Sequence, residues 1–338
     1  MATIKDVAKD AGVSLGTVSK VINGIYVSEE YRKRVEASIE KLHYQLNPNA
    51  HGLKAQKTND ILVIVPTLQN ALFPPMIDTI EKELNKHGKR MLICISRNDS
   101  EKINKYISMA NTSRVDGIFG VTYSKIADSF KSGIPIVAFD RHFSGTIPCV
   151  SCNNDEGGYL AAKTLHEKGS KNLLCFWAGT DYESEPMKRI NGFNRYCEEN
   201  NLNHNVISFM DYNMADTGFM YPSKSYKTLI HSYLSGLSNP NSKDFAYDGI
   251  FASSDHLAYL IVGELTEMGY KVPEDVQVIG FDGMPDFITG KPIVSSIYQP
   301  IDKIAKVGVK LLLKQINGEN PESVTNIPVK FVSGGTTR

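Results

Sequence analysis

The stretch Thr3-Ile-Lys-Asp-Val-Ala-Lys-Asp-Ala-Gly-Val-Ser-Leu-Gly-Thr-Val-Ser-Lys-Val-Ile-Asn-Gly24 opens the chain as two short helical patterns around a glycine turn. Thr3 can cap a first helix from Ile4, with Val7, Ala8 and Ala11 on one face of a 3.6-residue period. Gly12 makes the turn and Ser14 caps a second helix. Val18, Val21 and Ile22 form its apolar face, and Asn23-Gly24 stops it. A third helix is expected after a cap at Ser28, with Tyr31, Val35, Ile39 and Leu42 inward and Arg32, Lys33 and Arg34 outward. Helices joined by a tight Gly turn make a helix-turn-helix, whose second helix lies in the major groove of DNA. The outward face of that helix is Leu15, Gly16, Thr17, Ser19 and Lys20. Side chains that are small, hydroxylic or basic suit close approach to phosphates and base edges. A three-helix cap on an enzyme would have no use for such a face.

Charge is distributed accordingly. Residues 1–57 hold nine Lys/Arg and six Asp/Glu, a balance of +3. The whole chain of 338 residues sums to zero, so the remainder carries −3. A basic head on an acidic body fits DNA binding through the head alone. With 41% hydrophobic and 22% charged residues the composition is that of an ordinary globular protein. No apolar run approaches the roughly 18 to 20 residues that cross a bilayer, and the N-terminus lacks a signal-peptide pattern. A cytoplasmic protein without a membrane partner is expected. Cys149-Val-Ser-Cys152 has CxxC spacing but no second pair and sits where a strand should run, so buried thiols are expected, with no metal and no cofactor.

From Ile61 the pattern changes to short apolar runs alternating with helices. Ile61–Pro66, Arg90–Ile95, Val115–Val121, Pro135–Phe139 and Cys149–Ser151 read as buried parallel strands, with Met76–His87 and Asn98–Met109 as helices between them. The series then restarts, with strands at Asn172–Trp177, Val206–Met210, Tyr247–Ser253 and Val276–Phe281. The chain after Val294 returns, with a last helix at Ile304–Ile316 and a last strand at Ile327–Phe331. The expected fold is an all-α helix-turn-helix head plus an α/β body of two doubly wound parallel-sheet lobes, like a periplasmic binding protein. The expected domains are 1–46 for the head, 47–58 for a hinge helix and linker, 59–159 plus 293–328 for the first lobe, and 160–292 plus 329–338 for the second.

Ligands of doubly wound folds meet the carboxyl ends of strands. That criterion selects 67–73, Asp140-Arg141, the turn after Trp177, Ser253 to Asp255, and Phe281-Asp282. A polyol needs carboxylates and a guanidinium around an apolar platform. Asp140, Arg189 and Asp282 supply the charges, and Phe73 and Trp177 the platform. Ser253-Ser254-Asp255-His256 is better read as a helix cap than as a catalytic relay, because a triad is spatial rather than sequential. No P-loop or dinucleotide fingerprint occurs, and no enzymatic activity is expected.

Thr3–Ala8, Ala11–Ser14, Thr17–Asn23 and Asn47-Pro-Asn-Ala-His-Gly-Leu53 together resemble the LacI/GalR family of bacterial transcriptional regulators, and the likeness extends along essentially the whole chain. Its look is closest to sucrose- or fructoside-type repressors of Gram-positive bacteria. The resemblance implies DNA contacts from the head, with Thr3, Ser14, Leu15, Gly16, Thr17, Ser19, Lys20 and Asn23 as the candidates. It also implies a hinge helix from Pro48 that is too short to persist alone. There Asn49, Ala50 and Lys54 would meet DNA, and Leu53 would wedge a base step from the minor groove. In the body it implies effector contacts from Arg189 in Arg189-Ile-Asn-Gly-Phe193, from Asp282 and from Asp140. Ser254 stands where members often have Asn, and Gly283 where Asp is commonest. Lys20 and His51 replace common arginines, and lysine cannot make the bidentate fork to guanine.

The implied partners are a palindromic operator, a second copy of the chain, and a sugar or sugar phosphate; paired carboxylates favour a neutral sugar. The alternative is a global carbon regulator of the same fold, controlled by a phosphorylated carrier protein. Lys82, Lys86 and Lys89 would belong to its docking patch.

Overall fold

A computed structural model of the chain describes residues 2–22, 24–44, 58–97, 99–121, 133–140, 147–179, 184–210, 224–238, 245–286 and 288–338. The chain divides into two compact units, Met1–Thr58 and Asn59–Arg338.

The head contains helices α1 (Ile4–Ala11), α2 (Leu15–Ile22) and α3 (Glu29–Lys41). Thr3 caps α1 reciprocally with Asp6: its hydroxyl accepts the Asp6 N–H at 3.4 Å, and the Asp6 carboxylate accepts the Thr3 N–H at 2.8 Å. Gly12 ends α1 with a left-handed φ of 61°, which a side chain would strain. The core is Val7, Ala8, Ala11, Val18 and Val35. Asp10 ties α1 to α3 by accepting from Ser38 at 2.9 Å and from Lys41 at 2.7 Å. Two expectations fail in detail. Ser28 stands at the N-cap of α3 but makes no side-chain capping bond. Tyr31, expected inward, is 44% exposed, while Ser38 is buried. The inward face of α3 is Val35, Ser38, Ile39 and Leu42. Tyr31 lies a turn earlier, with the Arg34 guanidinium 5.8 Å above its ring.

In the body, a first series runs β1 (Asp60–Val65), α4 (Phe73–Lys86), β2 (Arg90–Ile95), α5 (Ser100–Ser113), β3 (Gly117–Val121), β4 (Ile136–Phe139) and β5 (Cys149–Cys152). A second runs α6 (Asn154–Glu167), β6 (Asn172–Gly179), α7 (Lys188–Glu199), β7 (Asn203–Met210), α8 (Lys224–Gly236), β8 (Gly249–Ala252), α9 (Asp255–Glu267), β9 (Gln277–Asp282) and β10 (Ser295–Tyr298). The chain closes with α10 (Ile301–Ile316), β11 (Val324–Ile327) and β12 (Lys330–Val332). The sheet orders are β11-β5-β4-β3-β1-β2 and β12-β10-β9-β8-β6-β7, so one winding is used twice. Neighbouring strands are parallel except the β10–β12 pair. Ile61 to Val65 are buried, as a strand covered on both faces requires.

Sheet membership moves the expected lobe limits. Residues 293–328 are expected in the first lobe, but Ser295–Tyr298 pair with Ile279–Asp282 in the second sheet. The crossing therefore follows Tyr298. Ser295 and Ser296 disguise the strand, because their buried hydroxyls are satisfied by Thr337 at 2.8 Å and Asp255 at 2.5 Å. The limit at 159/160 would cut α6, so the first crossing lies instead between β5 and Asn154. The expected single last strand is two, one in each sheet, on either side of Pro328, which has no N–H for a ladder.

Val35 is fully buried in the small core of the head. Val35→Ala should destabilise the head by about 2 to 3 kcal/mol through lost burial and the cavity left behind. Hydrogen exchange on the full chain should show faster exchange in α1–α3 and unchanged protection in β1 and β6. Equal protection of α1–α3 in variant and parent would contradict this packing.

Candidate functional site

The same winding used twice places Asp140 just past β4 and Asp282 at the end of β9, in equivalent slots of the two sheets. Both have positive φ, 58° and 120°. Such values cost a residue with a Cβ about 1 to 3 kcal/mol and persist where surroundings over-determine them. Asp140 is 1% exposed and accepts the Ser151 hydroxyl at 2.5 Å. Asp282 accepts Gln299 Nε2 at 2.6 Å, and Gln299 lies on the second crossing.

Arg189, in the first turn of α7, is the cation of this cluster and is itself buried. Its guanidinium lies 3.4 Å over the Phe281 ring. Nε donates to Asn154 Oδ1 at 2.7 Å and Nη1 to the Ser253 carbonyl at 2.6 Å. The backbone is held as closely as the head group. A Cβ on Gly158 would stand 1.8 Å from the Arg189 carbonyl oxygen, and one on Gly192 1.7 Å from that of Asp155. Helices α6 and α7 therefore meet backbone to backbone.

One guanidinium does not neutralise the acids around it. Burial pushes the Asp140 carboxyl up to about 6, against the opposing pull of Arg189 and the Ser151 hydroxyl. Burial likewise raises Asp282, with Arg189 and Gln299 opposing. Asp255 is raised well above the carboxylate range by burial and by the Asp282 charge, although it accepts from Ser296 at 2.5 Å and from the Met284 N–H at 2.7 Å. Glu185 is buried and pairs with Lys188 at 2.6 Å; its N–H donates to the Asp140 carbonyl at 3.2 Å. Each of these carboxylates meets a protein donor, but a carboxylate oxygen accepts more than one, and hydroxyl groups could add donors that water no longer supplies.

Of the body residues expected from sequence, Asp140, Arg189 and Asp282 come together. Phe73 is buried in the body's apolar cluster, and Trp177 is buried near the end of β6. The ring under the guanidinium is Phe281, not either of these. Ser254 caps α9 by accepting the Leu257 N–H at 3.2 Å. Ser253 exchanges bonds with the Ala178 backbone, so this run serves structure rather than a catalytic relay. Arg141 and part of the turn after Trp177, residues 180–183, lie outside the described residues. Sequence reasoning missed Asn154, Ser151 and Gln299, of which only Ser151 falls in an expected element, the strand Cys149–Ser151. The signal for them was position, at strand ends next to the two crossings. The residues of the suggested basic patch are already paired: Lys82 with Asp78 at 2.6 Å and Lys86 with Glu83 at 2.7 Å along α4, and Lys89 with the buried Asp116 at 2.7 Å.

In the head, Leu15 (45% exposed), Gly16 and Lys20 are exposed on α2, and Thr17 and Ser19 are half-buried. Ser14 accepts the Thr17 N–H at 3.1 Å and its hydroxyl meets that of Thr17 at 2.9 Å, so it acts as a cap. Thr3 is engaged with Asp6 in the same way. Ile25 and Tyr26 follow α2 and are exposed, Tyr26 at 86%; the helical pattern gave no sign of them. Asn23, Asn49, Ala50, Leu53 and Lys54, with the expected hinge helix, lie outside the described residues. Among the described residues no group of His, Cys, Asp and Glu is placed to hold a metal, and no helix is long and apolar enough to cross a membrane.

A family model described as bacterial regulatory proteins, lacI family, matches residues 3–47, and one described as a periplasmic binding protein-like domain matches residues 162–337. The chain is 32% identical over 337 residues to a sucrose operon repressor of Pediococcus pentosaceus, covering 98% of each. It is 32% identical over 341 residues to a ribose operon repressor of Bacillus subtilis, covering 100% of this chain and 99% of the relative. The crystal structure of a periplasmic binding protein/LacI transcriptional regulator from Alkaliphilus metalliredigens, complexed with D-xylulofuranose, is similar with a TM-score of 0.69 and 27% identity. It covers 83% of this chain and 99% of that one.

The raised Asp140 value sets a pH dependence. Between the ordinary 3.8 and about 6 the folded protein holds a proton that the unfolded chain has released. Stability in the absence of ligand therefore falls as pH rises through that window. The shift corresponds to about 3 kcal/mol for this one group. Asp140→Asn removes the burden, so the variant should gain stability over the parent as pH rises from about 4.5 to about 7.5 in urea unfolding. A difference between the two that does not change with pH would contradict the assignment.

Proposed function

This chain belongs to the lacI family of bacterial regulatory proteins, and we propose that it represses sugar-utilisation genes by binding a palindromic operator and responds to a sugar held between its lobes. Relatives named as sucrose and ribose operon repressors, and a similar protein seen with D-xylulofuranose, support the effector class. The observation that carries the reading is Arg189 buried against Phe281, with its charge acting on both buried carboxyls, Asp140 and Asp282. Two under-solvated carboxylates accept hydroxyl donors, a guanidinium donates to a ring or hydroxyl oxygen, and an added phosphate would face the acids. The effector is therefore a neutral sugar.

Lys20, Thr17 and Ser19 on α2 contact the operator, and Leu15 meets a base edge or a thymine methyl. Asn49, Ala50, Leu53 and Lys54 also contact the operator, with Leu53 at the central base step. A two-fold operator asks for a two-fold dimer. The edge strand β2 leaves Leu92, Ile93 and Ile95 exposed, and Tyr259 is exposed on α9; these apolar positions suit coverage by a second copy. Sugar binding changes the relation of the lobes and so the population of the DNA-binding form.

Two substitutions separate the activities. Lys20→Ala should weaken operator binding roughly tenfold or more with no change in melting temperature. Asp282→Asn should bind the operator like the parent but lose sugar affinity worth about 2 to 5 kcal/mol. Fluorescence anisotropy on operator DNA and calorimetry with sucrose and ribose read both. Parent-like operator affinity in Lys20→Ala removes α2 as the reading helix. Parent-like sugar affinity in Asp282→Asn removes that carboxylate from the site.

A further inference from the structure

The first crossing between the lobes carries an unusually complete chain of hydrogen bonds. Asn154, the first residue of α6, is 1% exposed and follows β5 after a single intervening residue. Its Oδ1 accepts the Arg189 Nε–H at 2.7 Å. Its Nδ2 donates to Ser151 Oγ at 2.9 Å and to the Cys152 carbonyl at 3.2 Å. Ser151 in turn donates its hydroxyl proton to Asp140 at 2.5 Å. Each donor points the same way, from the guanidinium of the second lobe through Asn154 and Ser151 to the carboxylate of the first. The other edge of Arg189 is fixed separately by the Ser253 carbonyl and the Phe281 ring.

We infer that Asn154 is a positioning residue for the effector: it holds Arg189 and, through Ser151, Asp140 in the mutual register that a sugar bridging the lobes requires. This rests on the assignment of Arg189 and Asp140 to the sugar site. An amide is the side chain that fits, because it accepts on one side and donates on the other without charge. A carboxylate at this position would still accept from Arg189 but would turn a lone pair toward Ser151. Alanine would leave the Arg189 Nε–H buried without that acceptor. Because Asn154 lies on the crossing itself, a sugar that engages Arg189 and Asp140 acts directly on the segment about which the lobes turn.

The test uses the full chain labelled with 15N-arginine, the Arg189 Nε–H being assigned by its loss in Arg189→Lys. Solvent exchange of that proton needs no ligand. It should be slow in the parent, equally slow in Asn154→Asp and Ser151→Ala, and at least roughly tenfold faster in Asn154→Ala. Calorimetry with sucrose and with ribose, on whichever the parent binds, should then show roughly 10- to 100-fold weaker binding in all three variants. Parent-like exchange in Asn154→Ala overturns the positioning role, as does parent-like sugar affinity in that variant. Should Asn154→Ala fail to fold, the nearly isosteric Asn154→Asp decides: slow exchange with weakened sugar binding supports the inference, and unweakened binding overturns it. Binding of neither sugar by the parent would count against the proposed effector, while the exchange rates would still decide whether Asn154 holds Arg189.

Discussion

The architecture of the body turns on one buried cation. A guanidinium taken out of water is tolerated only when its donors are met and opposite charge is near. Arg189 satisfies both conditions with groups from several elements: Asn154 at the start of α6, the Ser253 carbonyl after β8, and the Phe281 face in β9, with Asp140 and Asp282 nearby. The acids exceed what a single guanidinium can balance, and burial raises their proton affinities accordingly. This surplus of carboxylates is what supports the proposed neutral sugar over an anion.

Duplication of the winding explains why such a cluster can form. Fourth strands of the two series end in equivalent slots, and each is followed or closed by an aspartate in a left-handed conformation. Two carboxylates delivered by two lobes are matched with one arginine delivered by one lobe, so the site is asymmetric within a repeated frame. The two crossings carry amide side chains, Asn154 and Gln299, each bonded to one of the site's charged groups. Changes in the charges are thereby felt where the chain passes from lobe to lobe.

How much of this could be read beforehand depended on whether the controlling interactions were local. Thr3, Gly12 and Ser14 act within a few residues of themselves, so α1, α2 and their turn follow from the sequence. Tyr31 has a period that suits burial, but the packing of α3 on α1 begins only one turn later, at Val35. The apolar strands were legible as runs, but Asn203–Asn205 at the start of β7 and Ser295–Ser296 in β10 were not. The serine hydroxyls are satisfied by partners far along the chain. In the candidate site, strand ends and the family resemblance point to Asp140, Arg189 and Asp282, whose charges act on one another when buried. Asn154, Ser151 and Gln299 were not legible, since a buried polar relay leaves no periodic signature. The platform under Arg189 was sought in Phe73 and Trp177, although Phe281 precedes Asp282 directly and needed only the direction of α7 to be identified.

The central claim is that a neutral sugar occupies the space between Asp140, Arg189 and Asp282. A crystal structure of the full chain grown with the one of sucrose and ribose that binds it tests this directly. The account predicts the sugar with its hydroxyls donating to both carboxylates and an oxygen accepting from the Arg189 guanidinium. A sugar bound elsewhere on the body, with Asp140 and Asp282 touching only protein groups, would contradict it.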